Sequence, residues 1–236
     1  MENCYEDATR AEAYAQLAFA NTYHLAFRDV PALLRDAPGW RAMDFGCGTG
    51  RSTRFLKELG FAAVGVDISR EMIEQARRRD LGGDYRLVEG EMLEGFADAS
   101  FDAVLAAFPF DNIPGFDTKV RLFRSLRRVL DPRGRVINIV SSPEIYTHEW
   151  ASFSTSDYPE NRVAKCGDVV RIITTDFGDR RPCEDILWPD ADYRAVYAAA
   201  GLAVAAMLKP LATGDEPYKW VSETTVAPWV IYALTR

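Results

Sequence analysis

Short, continuous apolar runs alternate with stretches in which apolar residues recur every three or four positions, and this rhythm organises the chain up to about residue 140. Arg41–Phe45, Phe61–Val66, Tyr85–Glu89, Phe101–Ala107 and Arg135–Val140 have the length and composition of buried strands. Between them lie predicted helices: Arg51–Leu59, stopped by Gly60; a helix capped by Ser69 and running through Arg79; and one from about Thr118 to Leu130, stopped by Pro132 and Gly134. Strands that are apolar throughout are covered on both faces, and strand–helix alternation with short links predicts a parallel sheet. Ahead of this core, residues 7 to 36 predict two helical pieces broken near Asn21 and Pro31.

Beyond Val140 the rhythm changes. Residues 141 to 168 are polar and aromatic without a clear period. Val169–Thr175 and Ile186–Trp188 flank a turn-like FGDRRP stretch and predict an antiparallel hairpin. A helix over Asp190–Ala200 ends at Gly201, and Leu202–Leu208 and Val230–Leu234 predict two last strands.

The chemistry starts at MDFGCGTGRSTRFL, residues 43 to 56. A buried strand delivers Asp44, and Gly46, Cys47, Gly48, Thr49 and Gly50 form a loop that opens a helix. Glycine is required where the backbone turns sharply or a ligand must come close. The helix start adds N–H donors and positive partial charge. A dinucleotide loop has the spacing GxGxxG, but here it is GxGxG, and the third glycine of that pattern is replaced by Arg51. Asp44 would repel a pyrophosphate and attract an ammonium group, such as that of a methionine moiety. Asp67 closes the second strand, 23 residues after Asp44, where a carboxylate can accept both hydroxyls of a ribose. Ile68 would offer apolar contact to an adenine. Glu91 would accept an adenine amino group, and the Met92 N–H would reach a ring nitrogen.

Together MDFGCGTG, VGVDIS, EGEMLE, FDAVLAAFPF and LRRVLDPRGRVINIV, in that order, resemble the class I (Rossmann-like) S-adenosylmethionine (SAM) dependent methyltransferases of the bacterial small-molecule type. The resemblance implies an α/β fold: a doubly wound, mostly parallel seven-stranded sheet of order 3-2-1-4-5-7-6, with the last-placed strand antiparallel. It implies SAM as cofactor, held by Asp44, Gly46, Cys47, Gly48, Gly50, Asp67, Ile68, Met72, Glu91, Met92 and Ala107, and S-adenosylhomocysteine as product, with no metal. It departs from many relatives in having Glu91 where they have Asp. One domain, 1–236, is expected. It would comprise a helical lid (1–38), a SAM-binding core (39–140), a substrate cap inserted after the fifth strand (141–189) and the C-terminal part of the sheet (190–236).

On the acceptor side, FPFDNIP (108–114) places Asp111 and Asn112 at the mouth of the expected site, and lacks the Asn/Asp-Pro-Pro-aromatic signature of some amino-methylating relatives. His148, in SSPEIYTHEW, has an ordinary pKa near 6.5 that suits a general base; packing beside Trp150 or helix capping is the alternative. His148 and Asp111 are the catalytic candidates. Tyr14, Tyr23, His24, Phe108, Asn112 and Trp150 are the substrate candidates, since aromatic faces hold planar or cationic molecules and exclude water. Plain core packing is expected to account for about half of the aromatic residues near the cap. Glu216 and Glu223 could reach a polar substrate or be solvated, and solvation is the favoured reading.

Composition narrows the class. A hydrophobic fraction of 48% supports a sizeable core, and a net charge of −7 opposes binding nucleic acid or an anionic membrane surface. Four separated cysteines and two histidines give no zinc or disulfide pattern. No apolar run approaches the roughly 20 residues of a membrane span. A cytoplasmic monomer or homodimer acting on a small molecule is expected. A methyltransferase acting on RNA or protein, a non-catalytic SAM-binding partner protein, and a nicotinamide dehydrogenase are the competing readings.

Overall fold

A computed structural model of the protein describes residues 19–90, 93–176 and 178–236. Its main sheet contains β1 (Arg41–Phe45), β2 (Ala62–Asp67), β3 (Asp84–Leu87), β4 (Phe101–Ala107), β5 (Leu130–Ser141), β9 (Ala203–Leu208) and β10 (Trp229–Thr235). Three further strands, β6 (Phe153–Ser154), β7 (Val169–Thr174) and β8 (Cys183–Ile186), form a separate sheet within the segment after β5. The large sheet runs β3-β2-β1-β4-β5-β10-β9, and β10 is antiparallel to both of its neighbours. Leaving aside the three cap strands, this is the expected 3-2-1-4-5-7-6 order.

The strands sort their side chains by alternation. Met43, Val104 and Ala106 face one apolar layer, with α5 (Phe116–Val129) and α6 (Asp190–Ala200) packed on it. Ala42, Ala103 and Leu105 face the other, covered by α1 (Thr22–Phe27), α2 (Val30–Leu34), Leu56 of α3 (Arg51–Glu58) and the cap. α4 (Arg70–Arg79) buries Met72, Ile73 and Ala76, and its N-cap Ser69 accepts from the Met72 N–H as expected. Glu71 in its first turn and Arg77–Arg79 in its last suit the helix dipole.

Several boundaries differ from the sequence expectation for local reasons. Asn21 does break the chain, at φ 52°, but Pro31 lies in the first turn of α2, where its missing N–H costs nothing. α5 ends at Val129, and the chain is already extended at Leu130, which pairs with Phe101; β5 therefore starts five residues before Arg135. Pro132 explains the stop, because it pushes the residue before it away from helical geometry. In the cap hairpin, Val169 pairs with Ile186, so the return strand is Cys183–Ile186 and not Ile186–Trp188. Among the described residues no helix is long and apolar enough to cross a membrane.

Candidate active site

The glycine loop occupies the carboxyl end of β1. Gly46, Gly48 and Gly50 all adopt left-handed backbone angles, with φ of 71°, 51° and 79°. At Gly46 the constraint is double, since a Cβ there would stand 2.5 Å from Cβ of Pro109. The Val66 carbonyl anchors the turn by accepting from the N–H groups of Gly46 and Cys47, at 2.9 and 3.0 Å. Cys47 is buried, and burial holds its thiol well above the ordinary thiol range. A Cβ on Gly48 would meet only Met72 Sδ, at 4.0 Å, so the middle of the loop borders open space.

Asp44 is entirely buried at the base of the loop. Its Oδ2 accepts from the hydroxyls of Ser52 and Thr53, at 2.7 and 2.6 Å, while its Oδ1 is a buried acceptor with no partner among the described residues. Burial pushes the Asp44 carboxyl up to about 6, against the lowering effect of the two hydroxyls. An unpartnered carboxylate oxygen in that position is the feature an ammonium ligand would satisfy, and on this observation the residues fit the amino-acid end of SAM.

Asp67 stands at the end of β2. One of its oxygens accepts from the Gly48 N–H and the other from the Ser69 N–H, both at 2.8 Å. It thus ties the glycine loop to the start of α4, and a carboxylate, with about four acceptor positions, has capacity left for a ligand hydroxyl. Beside it, Ile68 is 66% exposed, an apolar side chain presented at the strand tip. Glu91 and Met92, expected on the adenine, lie outside the described residues, as does Tyr14.

At the end of β4, Ala107 leads into Phe108, which takes a left-handed conformation at φ 73°, unusual for a bulky residue. Its ring meets Trp229 at 4.7 Å, Tyr23 at 6.0 Å and Phe27 at 6.3 Å. Tyr23 also stacks on Trp229, at 5.8 Å, and burial pushes its hydroxyl well above the usual tyrosine range. Arg51, absent from the sequence-derived site, brings its guanidinium over the same rings: 4.6 Å from Tyr23, 5.1 Å from Phe19 and 5.6 Å from Phe27.

Asp111 heads a buried polar network behind β4. It accepts from the Ser141 N–H, at 3.0 Å, and from the Ser141 hydroxyl, at 2.8 Å. Burial first, and then the neighbouring Asp185, push its carboxyl up to about 7. Asp185 of the cap accepts from Tyr146 Oη at 3.0 Å and from Asn112 Nδ2 at 2.5 Å, so Asn112 fastens the cap to the end of β4. Lys119 is wholly buried on α5, donates to the Phe110 carbonyl and is lowered to about 8, chiefly by burial and against the raising effect of Asp111. Neither Asp185 nor Lys119 was found from sequence. Lys119 had a signal, for it precedes Leu122, Phe123 and Leu126 by three, four and seven positions, which places it on the apolar face of its helix. Asp185 had none.

Other candidates sit elsewhere. His148 Nδ1 lies 3.0 Å from the Glu144 carbonyl and 3.1 Å from Thr147 Oγ1, and the residue lines a cap cleft of about 170 Å³ with Tyr146, Thr155, Tyr158 and Arg162. No glycine-loop residue lines that cleft. Trp150 is a core residue whose indole N–H donates to the Ile145 carbonyl. His24 packs on Tyr218, 5.4 Å between ring centres. Glu223, taken as solvated, is completely buried: it accepts from Thr22 Oγ1 at 2.6 Å and from the N–H groups of Ala151 and Val221 at 2.8 Å. Among the described residues no group of His, Cys, Asp or Glu is placed to hold a metal.

With this geometry in hand, residues 43–138 match the family described as a methyltransferase domain. The chain is 29% identical over 201 residues to N-demethylindolmycin N-methyltransferase of Streptomyces griseus, covering 83% of each. It is 38% identical over 137 residues to demethylmenaquinone methyltransferase of Tropheryma whipplei, but spans only 54% of that relative's length. Among solved structures it superposes on an S-adenosylmethionine dependent methyltransferase from Mesorhizobium loti with a TM-score of 0.62, at 20% identity, over 89% of this chain and 98% of that one.

Proposed function

We propose that this chain, whose residues 43–138 match a methyltransferase-domain family, is a class I SAM-dependent methyltransferase that transfers the methyl group to a small-molecule acceptor bearing an O, N or S nucleophile. The observation that carries the reading is Asp44 Oδ1, a buried carboxylate oxygen without a partner among the described residues, beneath a three-glycine turn. Two relatives named for small-molecule acceptors support the substrate class, as does the net charge of −7, which is unsuited to RNA.

When bound, SAM supplies a methyl group already activated on a sulfonium. The chain's own work is therefore to hold, align and dry the reactants. Asp44 takes the ammonium end, Asp67 the ribose hydroxyls, and Ile68, with Glu91 and Met92, the adenine. Gly46, Cys47, Gly48 and Gly50 let the backbone lie against the cofactor, Met72 backs the loop, and Ala107 borders the reacting end. Tyr23 and Phe108, with Trp229 behind them, form the aromatic wall on the acceptor side. The three-stranded sheet supports reading 141–189 as a substrate cap, with Asn112 tying it down. Tyr14, His24 and Trp150 complete the substrate candidates, although Trp150, packed in the core, acts on the pocket through its neighbours.

Asp111 is the favoured proton acceptor, because it follows the end of β4 directly, beside Ser141, and burial with the neighbouring Asp185 raises its affinity for a proton. His148 is the second candidate. The two separate by mutation. Asp111→Asn is expected to lower turnover about a hundredfold, a typical general-base contribution, with S-adenosylhomocysteine affinity within about twofold of wild type, whereas His148→Ala leaves turnover near wild type. The reverse ranking in steady-state rates would transfer the role to His148.

The acceptor itself is found by incubating the protein and SAM with fractionated metabolite pools and searching by mass spectrometry for the gain of one methylene. Methylation confined to RNA or protein fractions would overturn the small-molecule reading. Failure to bind S-adenosylhomocysteine would overturn the site.

A further inference from the structure

The glycine turn rests on a small apolar cluster of its own. Cys47, Ile73, Ala76 and Tyr85, with Leu87 packed on them, stand apart from the two large layers of the core. Tyr85, on β3, is buried and supplies the ring. That ring is seated against glycines from three segments. A Cβ on Gly50, the last residue of the turn, would stand 2.6 Å from Tyr85 Oη and 2.7 Å from its Cε1. One on Gly65 of β2 would stand 2.8 Å from Cδ1, and one on Gly83 would collide with Cε2. Non-bonded carbon atoms rest about 3.5–4.0 Å apart, so the ring can come this close only to bare backbone. The phenol is tethered as well. Its Oη donates to Asp80 Oδ2 at 3.1 Å, and Asp80, the C-cap of α4, accepts from Lys57 Nζ of α3 at 2.7 Å. Burial, then Asp80, raise the phenol above the usual tyrosine range, which keeps it a donor. α3, α4 and β3 thus converge on one side chain, and its ring presses on the end of the turn. The middle is left open, since a Cβ on Gly48 would meet only Met72 Sδ.

We propose that Tyr85 is a positioning residue for the cofactor: wedged against Gly50 and tethered through Asp80 to Lys57, it holds the β1–α3 turn in the shape that receives SAM before SAM arrives. This rests on the SAM reading above and adds a residue that acts without touching the ligand. Glycine crosses between left- and right-handed backbone angles at little cost, and three of the turn's five residues are glycines in left-handed conformations. Unsupported, such a turn has several paths open to it, and binding would have to select one at a cost in affinity. A rigid ring against its last residue closes off the paths that move Gly50 toward β3, while the bonds of Gly46 and Cys47 to the Val66 carbonyl fix its start.

The test uses the full chain, well below its melting temperature, with S-adenosylhomocysteine as the probe. Amide resonances of Gly46, Gly48 and Gly50 are followed by nuclear magnetic resonance, and affinity by calorimetry, in wild type, Tyr85→Met, Tyr85→Phe and Ile73→Val. In ligand-free wild type the three glycine resonances are expected to be single and sharp, and to move on binding without sharpening. Tyr85→Met fills the space with a flexible chain. It is expected to broaden the Gly50 resonance and to weaken S-adenosylhomocysteine about tenfold, the worth of one hydrogen bond. Tyr85→Phe keeps the ring, and is expected to keep the resonances sharp and the affinity within about threefold of wild type. Ile73→Val trims the same cluster by one methyl, and is expected to lower the melting temperature and leave affinity and resonances unchanged. Unchanged affinity in Tyr85→Met, or equal losses in Tyr85→Met and Ile73→Val, would overturn the positioning role. A Tyr85→Phe as weak as Tyr85→Met would overturn the wedge. Glycine resonances that are broad in ligand-free wild type and sharpen only with ligand would refute the preformed turn, whether or not any variant folds. A wild type that does not bind S-adenosylhomocysteine would refute the cofactor reading itself, and this proposal with it.

Discussion

Asp44→Asn is expected to raise the melting temperature of the ligand-free protein near pH 8 while weakening S-adenosylhomocysteine at least tenfold. The two effects share one cause. Burial without a partner for Oδ1 lifts the carboxyl from 3.8 to about 6 in the folded chain. The folded state then holds its proton more tightly than the unfolded state does, so stability falls as pH rises from about 4 to about 6. Above that range the ionised group costs ~3 kcal/mol. Asparagine keeps an acceptor for the hydroxyls of Ser52 and Thr53 and removes the charge, at the lesser cost of an amide NH2 group whose two N–H donors are unsatisfied. The gain in melting temperature should therefore be present at pH 8 and vanish near pH 4. The ligand ammonium loses a charged partner, which sets the loss of affinity. In wild type, S-adenosylhomocysteine should itself bind less tightly as pH drops below about 6 and Asp44 takes up a proton. Calorimetric titration and thermal melts across this range check both; unchanged affinity in the variant would remove Asp44 from the site.

Glu223→Ala is expected to be the most damaging single change outside the loop, lowering stability by ~3–5 kcal/mol as read from denaturant midpoints. The carboxylate is completely buried and gathers three donors, two of them from distant segments: Thr22 Oγ1, the Ala151 N–H and, within its own turn, the Val221 N–H. Its removal strands the wholly buried Thr22 hydroxyl away from water, at ~1–3 kcal/mol, and unties the half-buried Ala151 N–H. By contrast, Glu74→Ala breaks only an exposed pair with Arg78 on α4 and should change stability by ~0.5 kcal/mol or less. Similar effects from the two variants would show that Glu223 does not organise these segments.

Glu223 also marks where sequence reasoning ends. The central strands were legible because each is apolar throughout, and their order followed from a recognised succession of motifs. The glycine loop was legible because three positive-φ glycines next to an acidic strand end leave a local trace. Nothing local distinguishes Glu223 from a solvated glutamate, since Thr22 lies 201 residues away and Ala151 lies 72 away. Asp185 is hidden for the same reason, its partners Tyr146 and Asn112 being 39 and 73 residues distant. His148 and Trp150 share one short loop, and spacing alone could not tell that the first lines a cleft of the cap and the second fills the core. Arg51 was noticed only for the glycine it replaces. Its stacked rings precede it by some thirty positions, and only the fold brings them over it.

The anchoring of α1 has a consequence for how the chain is made. Thr22 bonds to Glu223, and its carbonyl accepts from the indole of Trp229, 207 residues later. On the ribosome the first described helix therefore emerges long before the groups that hold it exist. The glycine turn, β1 to β5 and α3 to α5 can assemble while α1 still waits. Until β10 slots between β5 and β9, the aromatic wall lacks Trp229, and the half-built nascent chain cannot enclose its reaction space. Enclosure thus arrives only once the chain has been made through β10, long after α1.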